Sequence, residues 1–199
     1  MCYNVTRLIK AILGRKEAMH KSLDAEKALE VVIYVSTKAD NLFNIVKTIY
    51  YADKYHLARY GRLITGDNYI AMGDGPVPSG TYDLIKLVRG DSFSYESKIV
   101  NAHPEEALKV KVVKIEGISP KTFVYPRRTP NLDLLSESDI ECLDLSIEKY
   151  GNMHTTRLWR LVHQEKSYQK TQLDNPIPLR EIITLDISNG KDAIEYLES

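Results

Sequence analysis

A chain of 199 residues, 43% hydrophobic and 27% charged, can bury one sizeable core, which excludes a disordered segment or a disulfide-stapled miniature. Lysine plus arginine and aspartate plus glutamate both number 27, so no global positive field draws the chain onto nucleic acid. Cys2 and Cys142 form no CxxC pair and no apolar run reaches signal-peptide or membrane-spanning character, so the expectation is a cytoplasmic protein.

The first helical pattern places Val5, Leu8, Ile9, Ile12 and Leu13 on one face and ends near Gly14. A charged joint follows from Arg15 to Ser22, so residues 1–22 read as a helix or arm ahead of a main domain spanning 23–199. Asp24 can cap the next helix, in which Ala28, Leu29, Val32, Ile33 and Val35 extend to about Lys38. A third helix is expected to start at Asp40 and stop at Gly61, with Leu42, Ile45, Val46 and Ile49 as its core stripe. Asp53 and His56 continue that stripe by helical steps, so two ionisable groups share the inward flank.

Beyond Gly61, Arg62–Thr65 and Asn68–Ala71 flank Gly66-Asp67 and read as a hairpin with a two-residue turn. Gly73 to Ser79 carries Pro76 and Pro78 and reads as a rigid loop that cannot serve as an interior strand. Ser79 can cap a short helix carrying Leu84, Ile85 and Val88, ended by Gly90. Asp91 to Glu106 is weakly patterned and reads as the most mobile stretch. Val110, Val112 and Ile115 with Phe123 and Tyr125 then flank a Gly117 turn, and the lysine phase shift among Lys109, Lys111 and Lys114 predicts a bulge.

Ser136-Glu137-Ser138-Asp139 has the form of a capping box opening a helix that runs to Gly151. Its apolar face is Ile140, Leu143, Ile147 and Tyr150. Glu137, Glu141, Asp144 and Glu148 form a separate acidic stripe, and no basic residue occurs from Asp133 to Glu148. Thr155 opens another helix with Leu158, Leu161 and Val162. The loop Asn175-Pro176-Ile177-Pro178 precedes a short acidic helix through Ile194 and Leu197. The sum is a mainly helical α+β domain with a small antiparallel β element of two hairpins.

Patterns that carry chemistry are weak. His163 and Glu165 form an H-x-E, but no P-C-x-x-C accompanies it, and His20, His103 and His154 lack metal-ligand spacing. Gly73-x-Gly75 is followed by prolines that remove the amides a phosphate needs. No G-x-S-x-G is present. Asp53 and His56 could serve as a base and its orienting partner, with His163 as a third member of a metal-dependent hydrolase site. The alternative is a hydrogen-bonded pair tying the helix to the hairpin beyond it. Arg127-Arg128 reads as a solvated surface pair on a turn.

The segments Lys27–Glu30, Val46–Leu57, Tyr60–Ala71 and Gly75-Pro76-Val77-Pro78, in this order and spacing, resemble the SocA-like Panacea domain. Leu135–Asp139, Tyr150-Gly151 and Leu158–His163 resemble its second half, so the similarity runs from about Lys27 to Tyr168. Tyr168 stands where the family usually has a tryptophan. The resemblance implies a mainly helical fold without enzymatic activity or cofactor, and polar motif residues Asp53, His56, Asp67 and His163 with structural roles. It implies an antitoxin that binds a cognate protein toxin, such as an alarmone-synthetase-like or other nucleotide- or RNA-handling enzyme. SocA itself delivers its toxin to a protease, which is the alternative mechanism. Membrane and strong nucleic-acid binding are not expected. For the partner-facing surface the sequence offers the acidic stripe of Glu137, Glu141, Asp144 and Glu148, then the segment Gly75, Pro76, Val77 and Pro78; a row of like charges steers a basic partner and rejects an acidic one.

Overall fold

The structure is a computed structural model that describes residues 23–187. The amino-terminal arm and the final acidic helix lie outside the described residues. Helix α1, Ala25–Ser36, starts where the Asp24 side chain accepts the Lys27 amide. Helix α2, Leu42–Tyr60, ends at Gly61 in the left-handed conformation, φ 68°, as its glycine signature predicts. Its cap is Asn41, whose side chain accepts the Phe43 amide. Asp40, expected in that role, instead gives its carbonyl to Val124, so the chain here pairs with a strand before it enters the helix.

Helix α2 is the axis of the molecule. Ile45, Val46 and Ile49 face a large apolar cluster with α1, while Tyr50, Tyr51 and Leu57 face a second one. Burial on both sides explains its near-continuous apolar run, and each fully buried isoleucine contributes about 1.5–3 kcal/mol.

The first hairpin is displaced from its expected place. Strand β1 is Tyr69–Met72 and strand β2 is Gly75–Pro78, joined through Gly73 and Asp74. The proline-containing stretch is therefore a strand. Pro76 and Pro78 face Ala71 and Tyr69 in register, two residues apart, so both missing amides fall on the side away from β1. The other edge of β1 is used by a later segment: Ala71 donates to the Asn175 carbonyl and Ile177 donates to that of Tyr69. Residues 62–68, expected to hold one strand and the turn, cross irregularly from α2 to β1.

Helix α3, Ser79–Arg89, ends at Gly90, φ 84°. The weakly patterned stretch holds two short helices, α4 Ser97–Asn101 and α5 Pro104–Ala107. Strands β3, Leu108–Ile115, and β4, Ile118–Pro126, form the second hairpin, with the anticipated irregularity between Val113 and Ile115. Its inner face, with Leu108 and Val124, closes the larger cluster. Helix α6, Glu137–Ser146, opens with the full capping box of Ser136 and Asp139 and passes into a wider π turn, Ile147–Gly151. Helices α7, Thr155–His163, α8, Lys166–Lys170, and α9, Leu179–Glu181, with a π turn at Ile182–Asp186, complete a mainly helical α+β domain.

Candidate functional site

The polar residues singled out in the sequence gather around the carboxyl half of α2 and the chain that leaves it. Asp53 is 1% exposed. One of its oxygens accepts the Ile64 amide at 2.7 Å and the other the Tyr69 hydroxyl at 2.5 Å. Burial pushes its carboxyl up to about 6 despite those two donors. His56, also buried, uses Nδ1 toward the Arg62 carbonyl at 2.9 Å and Nε2 toward the Ser138 hydroxyl and the Asp139 carboxylate, both at 3.1 Å. Asp53 and His56 thus hold different backbone segments rather than each other.

Asp139 collects the positive charge of this region. Lys27 approaches it at 2.6 Å and Arg62 at 3.1 Å, and the Ser136 amide donates at 2.9 Å. Burial alone would raise its carboxyl, but the bonds from His56, Lys27 and Ser136 outweigh burial and hold it well below the ordinary carboxylate range. One buried carboxylate therefore ties α1, α2 and α6 together. Asp67 does the same for α3. It accepts the amides of Gly80 at 2.9 Å and Thr81 at 2.7 Å, the Thr81 hydroxyl at 2.7 Å and the Asn68 amide at 2.7 Å. This carboxylate caps α3 from well upstream, in place of the expected Ser79, whose side chain makes no capping bond. Burial pushes the Asp67 carboxyl up while these donors oppose it.

The β1–β2 hairpin is gripped by its carbonyls. Tyr168 donates to Met72 at 2.9 Å, His163 Nε2 lies 3.2 Å from Gly73, and the Lys47 ammonium donates to Pro76 at 2.8 Å. Lys47 is fully buried, 5.4 Å from the centre of the Phe43 ring, and burial pushes its amine down to about 7. Gly75 permits this close fit: its φ is +96°, and a Cβ there would stand 2.7 Å from Val162 Cγ2 and 3.4 Å from Lys47 Nζ. Beside His163 the Trp159 indole stacks at 3.7 Å between ring centres and remains 42% exposed.

A family model described as the SocA-like antitoxin, Panacea domain, matches residues 45–169, more than half of the chain. The chain belongs to the SocA-like Panacea antitoxin family. Neither a curated protein nor a solved structure matches it. The Panacea match takes in α2 from Ile45 onward, both hairpins, α6, α7 and α8 as far as Gln169, and with them Asp53, His56, Asp67, Asp139 and His163. Lys27–Glu30, part of the resemblance in the sequence, precede it, although Lys27 is bonded into the matched segment through Asp139.

On this Panacea scaffold, the surfaces offered by the sequence are less available than their pattern suggests. Glu141 accepts from Arg59 and Tyr60, both at 2.5 Å, and Asp144 accepts the Tyr34 hydroxyl at 2.7 Å. Glu137 and Glu148 remain outside these pairs. Gly75, Pro76, Val77 and Pro78 are all buried, so only the turn at Gly73 and Asp74 is presented by that hairpin. The Arg127-Arg128 pair is structural: Arg127 donates to the Leu108 carbonyl at 2.9 Å, and Arg128 forms a two-pronged pair with buried Glu30, which also accepts the Asn131 amide at 2.7 Å.

Asp53, His56 and His163 do not converge, and among the described residues no group of three or more His, Cys, Asp or Glu can hold a metal ion. Glu165, the other half of the H-x-E, pairs with Lys54 at 2.5 Å, and burial pushes its carboxyl up. Among the described residues no helix is long and apolar enough to cross a membrane. Lys47 and Trp159 escape sequence reasoning, and Asp139 is legible there as half of a capping box but not as the acceptor for Lys27, His56 and Arg62. A lysine or acid in an amphipathic helix gives no sign of its burial, and an aromatic residue next to apolar positions reads by default as core.

Proposed function

We propose that this protein is a non-enzymatic antitoxin that neutralises a cognate protein toxin by forming a complex with it. The observation that carries this reading is the family match together with what the motif residues touch. Asp53, His56, Asp67, Asp139, Lys47 and His163 are each bonded to neighbouring backbone or to a fixed countercharge. Groups committed to holding a scaffold in shape suit a protein whose product is a surface, since preorganised surfaces bind with less loss of freedom. The toxin is expected to be a nucleotide- or RNA-handling enzyme, as in the relatives that the sequence resembles.

Growth of cells expressing the product of the adjacent reading frame, with and without this chain, tests the proposal. Rescue that survives Asp53→Asn and His163→Gln, provided those variants fold, supports it. Rescue that is lost in these folded variants while the toxin stays bound points to chemistry instead.

A further inference from the structure

Glu141 and Asp144 of the acidic face are bonded within the molecule, but the arginines of the next helix are not. From Lys149 to Gln164 there is no aspartate or glutamate, whereas Lys149, Arg157 and Arg160 supply positive charge. Lys149 donates to the Tyr55 hydroxyl at 3.2 Å. Arg157 and Arg160 are exposed and, among the described residues, have neither a carboxylate nor a hydrogen-bond partner. Helix α7 buries Leu158 and Val162, which turns Arg160 toward the crest of the outer face, Trp159 to one flank and Arg157 to the other. Trp159 is held by its stack on His163, whose Nδ1 lies 2.8 Å from the Trp159 carbonyl and whose Nε2 reaches Gly73. The indole is therefore both exposed and fixed.

Arginine and tryptophan are the residues most enriched among those that dominate binding energy at protein interfaces, and lysine is depleted there. The contrast lies within this molecule. The outer face of the β3–β4 hairpin carries exposed Lys109, Lys111 and Lys121, the kind of charge that keeps an exposed hairpin from pairing with another chain. With a formal net charge of zero over the whole chain, a phosphate polymer, whose binding draws on many basic contacts, gains little beyond two guanidinium contacts, whereas a short acidic protein segment needs only two carboxylates, each able to accept a two-pronged bond from one guanidinium.

We propose that the outer face of α7, with Trp159 as apolar anchor and Arg160 and Arg157 as carboxylate receptors, is where an acidic segment of the protein toxin docks. This rests on the reading of the protein as a toxin-binding antitoxin and names its contact surface and the chemistry it recognises. It displaces the acidic stripe of α6 as the primary face.

Trp159 is the only tryptophan in the chain, so a single 5-fluorotryptophan label reports on this face alone. The labelled full-length protein is titrated with the inactivated product of the adjacent reading frame, followed by fluorine NMR and calorimetry. Trp159→Ala and Arg157→Glu/Arg160→Glu are compared with a hairpin control, Lys109→Glu/Lys111→Glu, of equal charge change. The expected result is a shifted fluorine resonance at saturation, at least tenfold weaker binding for both α7 variants with unchanged circular dichroism, and near-native binding for the control. Binding at native affinity by the α7 variants, with an unmoved resonance, overturns the assignment while leaving the antitoxin reading intact. No binding by any form, wild type included, defeats that reading itself. Equal weakening by the hairpin control reduces the effect to net charge and overturns it. Displacement of the toxin by a single-stranded RNA but not by poly-glutamate overturns the choice of an acidic protein segment. An indole shielded from acrylamide in the free protein means that this chain or a second copy covers the face, which also overturns it.

Discussion

Replacing Lys47 by methionine keeps the length of the side chain and removes a fully buried amine. Burial pushes that amine from its ordinary 10.5 down to about 7. Between those values the unfolded chain binds a proton that the folded chain does not, so Lys47 makes stability rise with pH from about 7 toward 10.5, with no contribution to the slope well below 7. One pH unit of difference is worth about 1.4 kcal/mol, so the buried amine costs about 4 kcal/mol at pH 7, of which about 1.5 kcal/mol is regained by pH 8.5. Lys47→Met removes that cost but strips the Pro76 carbonyl of its donor, a loss of about 1–3 kcal/mol. The expected net change is a gain of about 1–3 kcal/mol at pH 7, shrinking toward zero at pH 8.5. Urea denaturation followed by circular dichroism at the two pH values measures this directly. Burial pushes the Cys142 thiol up to about 11 from 9.0, so its effect falls above the chosen range and is common to both proteins. A variant as pH-dependent as the wild type, or one destabilised at pH 7, refutes the argument that burial of the charge dominates at this position.

Asp53 carries the opposite dependence, since its carboxyl is raised from 3.8 to about 6. The folded chain holds a proton there that the unfolded chain releases, so stability falls by about 3 kcal/mol as pH rises through this window; Asp53→Asn removes the fall, as melts at pH 4, 5 and 6 can register. Asp67→Ala leaves two amides and a hydroxyl at the start of α3 without an acceptor, and a loss of at least about 3 kcal/mol is expected in urea titration. Thr81→Val, which removes only the hydroxyl bond, should lose less. Gly75→Ala brings a Cβ onto Val162 at a positive φ and should cost about 1–3 kcal/mol, reduced when combined with Val162→Ala, a coupling readable by a double-mutant cycle.

Features decided locally are the ones legible in the sequence. The Ser136–Asp139 box, the glycine stops at Gly61 and Gly90 and the bulge after Val113 each depend on a few neighbouring residues, and each is where expected. The first hairpin lies elsewhere because Gly66-Asp67 has the composition of a tight turn, while the Asp67 carboxylate is committed to the distant start of α3. The strand at Gly75–Pro78 reads as loop because two prolines forbid a central strand, and only the register with Tyr69 and Ala71 reveals that they occupy the unbonded edge. At the candidate site, the order of motif residues exposes the family but not their partners. His56 meets Asp139 from a helix far away in the chain, and Glu141 and Asp144 are met by Arg59, Tyr60 and Tyr34 from equally distant helices. Periodicity shows which residues share a face, and not what packs against it.

Adding purified chain in measured steps to a fixed amount of the active product of the adjacent reading frame, and following that product's own activity, separates occupation from turnover. Neutralisation by complex formation requires inhibition to grow in proportion to added chain and to finish at a fixed molar ratio, unchanged by longer incubation. Complete inhibition by a small fraction of an equivalent, deepening with time, would contradict it, as would a toxin left fully active by an excess of folded chain.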